Sequence, residues 1–183
     1  VARARMARKS ASASSLFMDR TGEVLNQILG REEPALKRAD PAVVDIFIDK
    51  KIAELVALRA ASPLACVRRA LKEKIGDLRT NATEDKAIDA SLIAYLDALG
   101  SARGRTNEVA EPGKQAGQLL AEALEMQLPS APDFKAVSQG SRIAPSEAPA
   151  QCDRFLALWR ALATVPQPHR QGLVAHDFVR ALL

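Results

Sequence analysis

The chain has 183 residues, 26 basic and 22 acidic side chains, a formal charge of +4, and 48% apolar but only 4% aromatic residues. That length fits one ordinary domain or a small domain with extensions, and no stretch approaches the ~18 uninterrupted apolar residues of a membrane span. Cys66 and Cys152 stand 86 positions apart with no Cys or His beside them, which fits neither a zinc motif nor a disulfide scaffold and leaves a reducing compartment as the default.

The first twenty residues carry the whole net charge: Arg3, Arg5, Arg8, Lys9 and Arg20 oppose only Asp19, and the remaining chain is balanced. Residues 1–15 are rich in Arg and Ser and lack an acid, the composition of a transit peptide or its remnant. The same residues would suit an arm lying on an anionic partner such as RNA. A short helical pattern follows from Leu16 through Val24, Leu25, Ile28 and Leu29, and ends at Gly30.

Asp40-Pro41 predicts a helix start, because the carboxylate accepts free N–H groups and proline loses nothing at the first position. Val44, Ile48, Ile52 and Leu55 then share a face as far as about Ala61; a strand over Val43–Ile48 is the weaker alternative. Ser62-Pro63 repeats the device, and Leu64, Val67, Leu71, Ile75 and Leu78 form a narrow seam. Asn81 and Glu84 make a capping box before Ile88, Leu92, Tyr95, Leu96 and Leu99, closed by Gly100. These two helices read as an antiparallel pair with the Asp40 helix as third member.

A loop over 100–114 precedes a helix through Leu119, Leu120, Ala123, Leu124 and Leu128. Residues 129–150 hold Pro129, Pro132, Pro145 and Pro149 and read as an extended linker. Phe155, Leu158, Trp159 and Leu162 share a face before Pro166, and Leu173–Leu183 complete a C-terminal helical pair over 151–183. The predicted class is therefore all-α, since Ala and Leu dominate the apolar set. Its parts are a helical region over 16–128, strongest at 40–100, a basic arm, an irregular Pro-rich segment and the terminal pair.

No catalytic or metal constellation emerges. His169 and His176 lie seven apart without further ligands and read as solvent-facing. Gly113-Lys114 lacks the strand, the earlier glycine and the Ser or Thr of a phosphate loop. Cys66 has no base nearby in sequence and reads as a half-buried structural thiol. No cofactor is expected.

The positive signals concern partners. Arg68, Lys72 and Arg79 fall on one helix flank with Arg69 adjacent and, with Arg3, Arg5, Arg8 and Lys9, are candidate contacts to an anion; a solvated, ion-paired flank is the plainer reading. Phe155, Trp159 and Leu162 must pack either on the chain's own core or on a partner; the reach of the linker and the lone Trp make them the candidate protein-binding face, with packing on the core as the alternative. The sequence thus predicts a non-catalytic helical subunit of a large assembly, mitochondrial by its arm. The alternative is an RNA-binding component of an organellar ribosome.

Overall fold

The computed structural model describes residues 33–71, 81–128 and 144–176, which apart from Glu33 belong to one unit, Pro34–Leu183. The basic arm, the Leu16–Leu29 pattern, residues 72–80, residues 129–143 and the last seven residues lie outside the described residues. Those described form a 3-10 helix, Glu33–Arg38, and then α1 (Pro41–Ala61), α2 (Pro63–Ala70), α3 (Ala82–Ser101), α4 (Lys114–Gln127), α5 (Ala148–Thr164) and α6 (His169–Ala175). The all-α class holds, and Val43–Ile48 is helix.

The helix starts follow the local chemistry. Asp40 Oδ1 accepts from the Ala42 N–H at 3.0 Å and Pro41 opens α1, and Ser62 Oγ accepts from the Ala65 N–H at 3.3 Å. Asn81 Oδ1 accepts from Thr83 and Glu84, while the Glu84 carboxylate accepts from the Asn81 N–H, completing the capping box. α2 ends at Ala70, before the Ile75 and Leu78 positions of the expected seam, which are not described.

The packing differs from the expected arrangement. α3 lies along α1, whereas α2 packs on α5 and α1, so among the described residues α2 and α3 dock on other helices more than on each other. α5 touches α1, α2 and α4, as α1 touches α2, α3 and α5. Phe155 through Trp159, Ala161 and Leu162 are all buried, and a helix that is apolar nearly all round belongs inside. The helix also begins within the segment read as linker, with Pro149 in its first turn, where the missing N–H costs nothing.

Cys66 and Cys152 correct a second expectation. Both are fully buried, their Cα atoms are 5.7 Å apart, and a disulfide joins α2 to α5. Cys66 is therefore a covalent tie within the core, not a half-buried free thiol. Arg59 ties α1 to the same helix α5, gripping Asp153 with Nε and Nη2 at 2.8 and 3.0 Å. That hydrogen-bonded carboxylate pushes the arginine's pKa further up.

Candidate functional site

Two places in the described residues have the character of a site: a polar cleft beside α6 and an aliphatic flank on α3. The cleft forms where the loop 102–113 crosses the 3-10 helix. Gly104 takes the left-handed conformation (φ 76°) that turns the loop back. The Val109 N–H then donates to the Lys37 carbonyl at 2.8 Å, and Arg105 Nη2 donates to Asp40 at 2.5 Å. Across the loop, a Cβ on Gly172 of α6 would stand 3.1 Å from the Ala110 carbonyl oxygen, so glycine permits the close approach.

α6 is fixed in turn by polar contacts to α1. Asp45 Oδ1 accepts from Gln167 Nε2 and Arg170 Nη1, each at 2.8 Å. Gln171, 1% exposed, donates from Nε2 to the carbonyls of Leu36 (2.9 Å) and Ala39 (2.8 Å). Two carbonyls can only accept, so they fix the amide's orientation and leave Oε1 on its other side. The result is a cleft of about 390 Å³ whose lining includes Lys37, Arg38, Arg105, Thr106, Asn107, Glu108 and Gln171.

The cations of the cleft have internal partners of unequal quality. Arg105 is held closely by Asp40, whereas Arg38 stands 3.6 Å from Glu108 and Lys37 stands 4.0 Å from the exposed Glu111. Exposed pairs at such distances contribute little. The sequence patterns single out none of Lys37, Arg38, Arg105 and Gln171 as site residues. A lone glutamine in a helix carries no sequence signal.

The flank on α3 arises because that helix turns its small residues inward. Ser91, Ala94 and Ala98 are buried against the core, and small side chains let paired helices lie closer together. Ile88, Tyr95 and Leu99, expected to be the buried face, are only partly covered. Leu96, expected with them, is 45% exposed, and Ile93 is 57% exposed. Asp85, Asp89 and Asp97 are exposed on the same helix.

The residues singled out from sequence fall elsewhere. Phe155 and Leu162 are fully buried, and Trp159, 7% exposed, stacks edge-on against Phe47 with ring centroids 5.9 Å apart. Phe47 in turn meets Tyr95 at 5.2 Å. The expected protein-binding face is therefore part of the chain's own core: the apolar helix packs back against α1, α2 and α4.

Of the basic stripe, Arg68 is half-buried at the end of α2. Arg69 is bonded to Glu54 and so serves an internal ion pair. Lys72 and Arg79, with Arg3, Arg5, Arg8 and Lys9, lie outside the described residues.

Glu54 is itself a buried carboxylate, paired with Arg69 and with Lys51 at 3.0 Å. Burial pushes its pKa up, but Lys51, Arg69 and a hydrogen bond from Ser91 together outweigh that and hold it below the ordinary range. His169 and His176 are half-buried, not solvent-facing, and Gly113 is the residue that precedes α4. Among the described residues no group of three or more His, Cys, Asp or Glu is placed to hold a metal ion, and no helix is long and apolar enough to cross a membrane. Comparison with known proteins finds no family model, no characterised protein and no solved structure that matches this chain.

Proposed function

We propose that this chain is a non-catalytic helical subunit of a larger protein assembly and that it meets its partner through the outward flank of α3. The observation that carries the reading is the orientation of that helix, which buries Ser91, Ala94 and Ala98 while leaving Ile93 and Leu96 in water. Exposed aliphatics on one helix face, with acidic residues beside them, suit an amphipathic partner helix with basic margins. The same acidic border, from Asp89 and Asp97, opposes a phosphate backbone. With Arg69 committed to Glu54, protein is favoured over RNA as the partner.

The Arg- and Ser-rich arm supports an organellar address, the mitochondrion. The Cys66–Cys152 disulfide supports an oxidising space over a reducing one. Native purification of the tagged full chain with cross-linking mass spectrometry tests the reading. Stable co-purifying subunits, cross-linked near α3, are expected. Ile93→Asp with Leu96→Asp should abolish their recovery while the thermal melt stays within a few degrees, because both side chains are exposed. Undiminished recovery of the same subunits by the double variant would overturn it.

A further inference from the structure

We propose that the cleft between the 3-10 helix, the loop 102–113 and α6 binds a small organic oxyanion that also carries a hydroxyl or amine donor. Two buried polar atoms without a hydrogen-bond partner among the described residues belong to side chains of this cleft: Arg38 Nε, a donor, and Gln171 Oε1, an acceptor. Buried polar groups are normally satisfied, so a donor with only a long 3.6 Å contact to Glu108 and an acceptor with no hydrogen bond, on two side chains of one cleft, call for a ligand that offers both complements.

The charge of the lining selects the anion. Three cations line the cleft, Lys37, Arg38 and Arg105, and only Arg105 is held closely by its carboxylate. Arg105 stays with Asp40, while Arg38 and Lys37, held only at 3.6 and 4.0 Å, can exchange their exposed carboxylates for a ligand's oxyanion at little cost. The guanidinium fork of Arg38 suits a planar carboxylate or a phosphate. Thr106 and Asn107 add uncharged hydrogen-bonding groups, and the apolar lining is limited to Ala39, Pro41, Val109 and backbone. With no aromatic wall to stack on, the fitting class is a hydrophilic hydroxy acid, amino acid or sugar phosphate; about 390 Å³ is ample for such a molecule.

Isothermal titration of the full chain with L-malate and with sn-glycerol 3-phosphate tests the proposal and separates carboxylate from phosphate. Saturable binding of one of them is expected, strongest at low salt. If malate is the ligand, succinate, which lacks the hydroxyl, should bind at least about tenfold more weakly, because Gln171 Oε1 is then left unpaired. Arg38→Gln should weaken binding by about tenfold or more, with an unchanged circular dichroism melt showing that the variant is folded. Glu108→Gln should tighten binding, because it removes the internal competitor for Arg38. The proposal falls if neither probe saturates, if Arg38→Gln binds like the parent, or if succinate matches malate.

Discussion

Glu54 on α1 and Arg69 on α2 form an ion pair in which the Glu54 side chain is wholly buried while that of Arg69 keeps about a quarter of its surface in water. The pair spans the corner at Ser62 and is completed by Lys51 and Ser91, so one carboxylate draws together α1, α2 and α3. Removing it leaves two cations around an apolar gap. Glu54→Leu is expected to destabilise the fold by about 3 kcal/mol or more at neutral pH, read by urea denaturation.

The pH dependence of that pair has a definite direction. Its folded-state pKa lies below the ordinary 4.5, so its stabilisation is fully present above that value and is lost as the pH falls through the folded pKa. Between neutral pH and about pH 3 the parent should lose more stability than Glu54→Gln, which has no proton to gain at that position. Parallel acid limbs in the two denaturation profiles would show that other carboxylates govern the acid response.

Reduction of Cys66–Cys152 should weaken the fold substantially. The bond closes a loop of 86 residues, for which chain entropy gives up to about 4.5 kcal/mol, lessened by any structure that the reduced chain retains unfolded. Cys66→Ser with Cys152→Ser should lower the melting temperature by a comparable amount in the presence and absence of reductant. Mass spectrometry of the unreduced parent should show no alkylation of either cysteine by iodoacetamide under denaturing conditions.

Trp159→Ala is expected to act on the core. Its ring is 7% exposed and packed on Phe47, and deletion of a buried aromatic typically costs 3–5 kcal/mol. Urea denaturation should therefore show a large loss of stability in the isolated chain. An unchanged midpoint would mean that α5 is not part of the cooperative unit.

Asn81→Ala should remove one side of the capping box at the start of α3. The amide accepts from two backbone N–H groups, and Glu84 returns the contact. A loss of about 1 kcal/mol is expected. Hydrogen exchange should rise most in the first turn of α3.

The helix starts were legible because their signals are local: Asp40-Pro41, Ser62-Pro63 and Asn81 with Glu84 each act within four residues. The helical class followed from composition for the same reason. Burial was not legible in the same way. On α3 the periodicity named a bulky aliphatic face, yet the close dock against α1 selected Ser91, Ala94 and Ala98, a choice that depends on the neighbour's shape. Trp159 and Phe155 resemble a tail seeking a partner because the proline-rich segment suggests detachment, and chain order says nothing about where a helix returns. The disulfide and the cleft share that origin. Cys66 with Cys152, and Arg38 with Gln171, become neighbours only when α5 and α6 come back against elements a hundred residues earlier.

The covalent tie between α2 and α5 also changes what a protease can do to this molecule. Everything from residue 67 to residue 151, including α3 and α4, lies inside one closed ring of backbone and disulfide. A single cut anywhere on that ring opens it without dividing the protein. Nicked chains would keep the mass of the whole, plus the water of hydrolysis, and run as two fragments only after reduction. An oxidising surroundings would thereby let the protein persist as one piece after its backbone has been broken.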